Sequence, residues 1–303
     1  VWALLAAGSA VWVTGCKPSA EKLAARELKL SQEIETLCAQ IQDLQAQGQL
    51  AEAAGLVEKG LANPAYSAHK SRFFSQKIDL LLAQQDDAAA CDLILQAWKS
   101  EPQLASGVCE RPHGYYRMQN NHAAINAWCK RLLELGSALP SEQRSQVLAW
   151  RLSATLAMRD MPESEASIDA LMAALKPEAA APLLQTELGS LIDAGQHATV
   201  LALTAHMSGK QLVSPLYRNV LVTLAMRCTL AQGDWAKFPS AFNDCVATLP
   251  DDALLKLMRP VFSTLQKGSQ KDLVEQSSKQ VIFNAIDKTN AVNFAARIWV
   301  ESG

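Results

Sequence analysis

Residues 34–64 read IETLCAQIQDLQAQGQLAEAAGLVEKGLANP, and their spacing decides the fold class. Ile34, Leu37, Ile41 and Leu44 stand three and four apart, the helical period, until Gln47-Gly48-Gln49 interrupts them. The period resumes with Leu50, Ala53, Leu56, Val57 and Leu61 and then meets Pro64. Proline has no N–H to give a helix and disfavours helix in the residue before it, so it closes the second segment. One such stretch is therefore two amphipathic helices joined by a small polar turn. Working outward, Phe74, Ile78, Leu81 and Leu82 form a second face, with a turn at Gln85-Asp86-Asp87 before Ala90, Ile94, Ala97 and Pro102. Prolines recur at Pro64, Pro102, Pro140, Pro177, Pro215 and Pro250, at intervals of 38, 38, 37, 38 and 35 residues. Period-two alternation of β-branched residues is nearly absent, and no strand is predicted.

Gly48-Gln49-Leu50-Ala51-Glu52-Ala53, with Leu56, Lys59, Leu61 and Pro64, resembles the second half of a tetratricopeptide repeat. Gly233-Asp234-Trp235 followed by Phe242, Cys245 and Pro250 is similar, and Phe74, Leu81, Ala90, Ile94, Ala97 and Pro102 occupy the same signature positions. The resemblance covers residues 31–283 and departs from the family in two respects. Phe238 stands where the family keeps a small alanine, and the period exceeds its usual length. It implies an all-α, TPR-like α-solenoid of about seven antiparallel helix pairs in a right-handed superhelical stack, each pair sealing the open apolar face of the next. The expected pairs are 34–64, 71–102, 105–140, 143–177, 181–209, 216–250 and 252–283, with a further pair beginning in 284–303.

The start of the sequence carries a different signal. Val1 to Val13 is uncharged and mostly apolar, and the first charge is Lys17. Such a run is too short for a bilayer, whose hydrocarbon core of ~30 Å needs about 20 helical residues, but suits the apolar part of a signal peptide. Val13-Thr14-Gly15-Cys16 resembles a bacterial lipobox, which implies a signal peptide over 1–15, acylation of Cys16 and a lipid-anchored lead-in helix over 16–33. Lys17 after the cysteine leans the expectation toward the outer membrane, facing the periplasm. An ordinary signal peptide or part of a membrane segment are the other readings.

Composition bounds the chemistry. Hydrophobic residues make up 49% of the 303-residue chain and charged ones 19%, enough apolar material for a core and too little charge for a disordered chain. The net charge of −2 gives no basic footprint for nucleic acid. The sequence has no phosphate-binding loop, no nucleophile elbow, no His-Glu-x-x-His and no Cys-x-x-Cys. No two of His69, His113, His122, His197 and His206 stand three or four apart, so neither a metal nor another cofactor is expected. Cys109 and Cys129 flank Asn120-Asn121 at nearly equal distances, level enough across a hairpin for a disulfide, whereas Cys228 and Cys245 are offset by about 9 Å of helix rise. Packing as small hydrophobes is the other reading for all of them.

The tetratricopeptide resemblance places Arg72, Asp79, His113, Tyr116, Arg117 and Arg227 on a concave, partner-binding groove. Arginines and aromatic rings are common interface anchors. Tyr115 and Tyr116 can equally be core residues beside Pro112 and Gly114. The tryptophans Trp98, Trp128, Trp150, Trp235 and Trp299 read as packing between repeats. The expected function is a non-catalytic protein–protein interaction scaffold, anchored in the bacterial envelope and recruiting other envelope proteins. The alternatives are the helical part of a larger envelope enzyme, as soluble lytic transglycosylases resemble, and an intracellular regulator with a retained membrane segment.

Overall fold

A computed structural model describes residues 20–210, 214–285 and 287–302. Cys16 and the lipobox lie outside the described residues. The described chain is helical throughout and has no strand. It divides into two compact units, one ending at Pro112 and the other beginning at His113. The first contains α1 (Ala20–Ala46), α2 (Leu50–Ala62), α3 (Lys70–Ala83), α4 (Asp87–Ser100) and the short α5 (Pro102–Ser106). The division falls within α6 (Glu110–Met118). The second unit continues with α7 (His122–Leu133), α8 (Ser141–Met158), α9 (Met161–Ala174), α10 (Pro177–Asp193) and α11 (His197–Ser208). It ends with α12 (Pro215–Gln232), α13 (Phe238–Thr248), α14 (Asp251–Lys267), α15 (Lys271–Asn284) and α16 (Thr289–Ser302). No helix among the described residues is long and apolar enough to cross a membrane.

Each periodic proline follows the end of a helix and a non-helical residue, and it also opens the next element. Pro102, Pro177 and Pro215 are the first residues of α5, α10 and α12, Pro140 and Pro250 are the N-caps of α8 and α14, and Pro64 starts a 3-10 turn. The first turn of a helix has no internal use for its N–H groups, and the ring presets the helical φ, so proline is favoured there.

A second periodic device is invisible to composition. Residues with left-handed φ recur at Gly48, Gln85, Asn120, Arg159, Gly195, Gly233 and Ser269. In each turn the next residue donates its N–H to a carbonyl five residues back: Gln49 to Leu44, Asp86 to Leu81, Asn121 to Tyr116, Asp160 to Thr155, Gln196 to Leu191, Asp234 to Thr229 and Gln270 to Leu265, at 2.8 to 3.4 Å. This six-residue closure satisfies end carbonyls of one helix and redirects the chain into the next. Three of those next residues cap the following helix as well. Asp86, Asn121 and Asp160 accept through their side chains from the N–H groups of Ala89, Ala124 and Glu163, while Asp234 accepts from Lys237 in the turn before α13.

The apolar faces close on one another within each unit. In the first unit Ile34, Ile41, Ala53, Val57, Phe73 and Leu80 share one core. Gly60 of α2 admits the Phe73 ring so closely that a Cβ there would lie 2.5 Å from it. In the second unit α8 packs on α7, α9 and α10, and successive longer helices meet as α10 with α12, α12 with α14 and α14 with α16. The helices between them also touch, α9 with α11 and α13 with α15. Phe238, where the resemblance called for alanine, is fully buried and stacks on Phe242 at 5.6 Å between ring centres. Phe242, Phe262 and Phe294 continue the row edge to face. Each such ring contributes roughly 1.5–3 kcal/mol by burial, so a large residue at that position strengthens the contact between neighbouring helices.

Candidate functional site

A cavity of about 1040 Å³ lies in the second unit. It is a trough with α12 as its floor and α10 and α14 as its walls. Asp193, the last residue of α10, meets Arg227 near the end of α12, so these two helices run side by side in the same sense. The floor presents Leu216, Val220, Thr223 and Leu230, and the walls add Ala181, Ile192, Leu249 and Leu257. Glu178, Asp193, Asp252, Arg227 and Lys256 supply its charges.

Arg227 is held rather than loose. Its guanidinium donates to Asp193 at 2.9 Å and to the Gly189 carbonyl at 3.4 Å. Gly189 makes the seat: a Cβ there would stand 2.5 Å from Nη1 of Arg227. Two helix-interior prolines and one buried amide mark its lining. Pro182 in α10 and Pro260 in α14 lie inside their helices and line opposite walls. Neither can donate to the carbonyl four residues back, which belongs to Glu178 and Lys256 respectively, and both of these residues also line the cavity. On the floor, the side-chain oxygen of Asn219 is buried and has no hydrogen-bond partner. A buried acceptor without a donor costs free energy.

The residues expected on a groove fall in different places. Arg72 and Asp79 sit on α3 in the first unit, Arg72 exposed and Asp79 ion-paired with Arg111. His113, in the second unit, lies flat on Trp150 of α8, 4.2 Å between ring centres and 8° apart in plane. Tyr116 is a core residue at 3% exposure, packed edge-on against Tyr115, and offers a partner almost no surface. Arg117 is exposed. Of His113, Tyr116, Arg117 and Arg227, only Arg227 lines the trough. Reading the sequence for arginines and aromatic rings missed Asn219, Thr223, Lys256 and the two in-helix prolines. A usable signal was present: Pro182 and Pro260 fall outside the proline period.

The cysteines and carboxylates explain structure. Cys38, Cys91, Cys109, Cys129, Cys228 and Cys245 are buried thiols. Burial pushes Cys109 up to about 11, and Cys129 and Cys245 up to about 12, so their reactive thiolate forms are suppressed. Glu163 joins three helices by accepting from Lys130 at 2.6 Å and from Asn126 and Arg151 at 3.4 Å. The Lys130 hydrogen bond does most to hold its carboxyl below the usual range, against a smaller upward push from burial. For Asp169 burial is the largest influence and works upward, yet Lys210 and His206 together outweigh it and lower the carboxyl. No group of three or more His, Cys, Asp or Glu among the described residues is arranged to hold a metal ion. What the trough offers is shape and apolar surface between charged side chains. Compared with known proteins, the chain matches no family model and no curated protein.

Proposed function

We propose that the chain is a non-catalytic scaffold that binds protein partners, built as a TPR-like stack of helix pairs and tethered in the bacterial envelope through acylated Cys16. The observation that supports a binding role most directly is the trough over α10, α12 and α14, formed by consecutive longer helices and lined by apolar side chains between charged ones. Its volume is at the upper end of small-molecule pockets, and its elongated form suits a chain segment. The stacked reading draws support from the recurrence of the same left-handed turn at positions 48, 85, 120, 159, 195, 233 and 269. The anchored reading rests on Val13-Thr14-Gly15-Cys16 alone.

A photo-crosslinking residue placed at Thr223 on the floor, with Ala202 on the exposed side of α11 as the control position, tests the binding role in cells. The expected outcome is a discrete envelope-protein adduct from position 223 and none from 202. Identical patterns from both positions, or no adduct from either, would remove the trough as the working surface. Mass spectrometry of the mature N-terminus tests the tether separately, since it requires a cysteine carrying acyl chains.

A further inference from the structure

We propose that α16 is a strap that opens and closes as one unit over the apolar side of α14 and α15, and that Asp251 and Lys288 form the clasp that sets how often it opens. The strap is independent of the trough and of what the trough binds. Lys288 is the N-cap of α16, since its carbonyl accepts the first helical hydrogen bond, from Val292 at 2.9 Å. An N-cap side chain ordinarily gives an oxygen to the N–H groups two or three residues on, and an ammonium group has none to give. Asp251, the first residue of α14, supplies it instead. Its carboxylate accepts from the backbone N–H groups of Asn290 at 3.0 Å and Ala291 at 2.8 Å, and from the Asn290 amide at 2.9 Å.

Other helices carry their caps with them. The cap oxygens of α4, α7, α9 and α12 come from the residue immediately before each, Asp86, Asn121, Asp160 and Ser214. The cap of α16 belongs to α14, so its three hydrogen bonds exist only while α16 is docked. Lys288 makes the return connection by donating to the Val246 carbonyl in the last turn of α13. The helical donor for that carbonyl would be Pro250, which has no N–H. At the far end of α16, the Lys279 ammonium of α15 lies over the Trp299 ring, 5.3 Å from its centre.

The apolar seal beneath these contacts is light. α16 buries Ala291 and Ala295 fully and Ile298 to 8% exposure, while α14 buries Leu254, Leu257, Met258, Val261, Phe262 and Leu265. Phe294 is only partly buried and meets Phe262 edge to face at 6.0 Å. Burial stabilises in proportion to the apolar area removed from water, and two alanine methyl groups remove little. The polar contacts at its two ends therefore carry a large share of what docks α16. A helix held in this way opens locally, before the core under it does. Opening uncovers the side of α14 and α15 that faces α16, Phe262 included.

Hydrogen–deuterium exchange of the whole chain, resolved by peptide mass spectrometry, tests the strap. In the unaltered protein the α16 peptide should exchange at least about tenfold faster than those of α12 and α14. Asp251→Ala should speed it by about tenfold more, the loss expected for a cap oxygen, while α8, α10 and α12 stay within about twofold. Lys279→Met should speed it about threefold. The double variant Asp251→Ala with Lys288→Asp gives α16 a cap of its own without any link to α13 or α14. A clasp requires that this variant still exchange fast. Its return to the parental rate would reduce Asp251 to an ordinary cap and overturn the inference. Exchange of α16 no faster than that of α12 in the unaltered protein would overturn it too, and that comparison needs no variant to fold. An effect of Asp251→Ala spread evenly over the second unit would do the same, because α16 would then open only with the common core.

Discussion

At the scale of single residues, the first unit turns on a glycine that conformational freedom does not explain. Gly60 is helical, and its lack of a side chain lets the fully buried Phe73 ring rest against α2. Gly60→Ala gains up to about 1 kcal/mol of helix propensity but forces the ring or the helix to move, at about 1–3 kcal/mol. The expected net is a lower thermal midpoint, and the double variant Gly60→Ala with Phe73→Leu should recover part of it. In the second unit Glu163 provides the acid-sensitive counterpart. Its carboxyl titrates below the ordinary glutamate value of 4.5 because the folded state favours the charged form. The stabilisation it gives is therefore complete above that value and is lost as the pH falls through the lowered one. Glu163→Gln should destabilise the protein modestly at pH 7 and make the remaining stability less steep in pH below 4.5, measured by urea unfolding across that range. A variant whose acid limb stays as steep as the parent's would show that other carboxylates carry it.

At the scale of elements, the helix-to-helix turns share one geometry but not one residue type. Glycine occupies the left-handed position at 48, 195 and 233, while Gln85, Asn120, Arg159 and Ser269 hold the same φ. A non-glycine residue there costs about 1–2 kcal/mol, partly offset because glycine makes the unfolded chain more entropic. Arg159→Gly is thus expected to raise stability by about 0.5–1 kcal/mol in chemical denaturation, with the helical content unchanged. A loss of stability would mean that the Arg159 side chain makes a contact worth more than the strain. These same substitutions explain what the sequence revealed and what it hid. Residues 34–64 contain Gly48 at the turn, so their two helices were evident from spacing alone. The turn at Gln85-Asp86-Asp87 was read from its polar residues, whereas nothing in the sequence marks Gln85, Arg159 or Ser269 as the residue that takes the left-handed φ. The second role of the periodic prolines went unread, because the spacing of Pro177 or Pro215 is the same whether or not it also starts the next helix.

The binding trough was far less legible, and the reason is geometric. A cavity is shared by several helices whose registers a repeat pattern does not give at the side-chain level. Arg227 was reached through family resemblance, whereas Asn219 is one amide among many until its oxygen proves buried without a donor. Tyr116 illustrates the opposite error. An adjacent tyrosine pair beside arginines has the composition of an interface, and only packing shows that Tyr116 is core. Spacing predicts which face of a helix is apolar. It does not say which part of that face a neighbour leaves uncovered.

At the scale of the whole molecule, burial of the thiols spreads chemical probes through the chain. Cys38 lies in α1, Cys91 in α4, Cys109 just before α6, Cys129 in α7, Cys228 in α12 and Cys245 in α13, and all are buried. A sulfur so placed meets an alkylating reagent only when its surroundings open, as an amide meets deuterium. Mass-resolved labelling of the native protein should therefore proceed slowly at every one of these six positions, at rates ordered by the local opening free energy. Fast labelling of Cys228 or Cys245 without denaturant would contradict the buried core described for the second unit. Because cysteines occur in both units, one labelling time course gauges each unit's resistance to opening without introducing a foreign reporter. The molecule comes with its own set of strain gauges, placed where a protein engineer would otherwise have to install them.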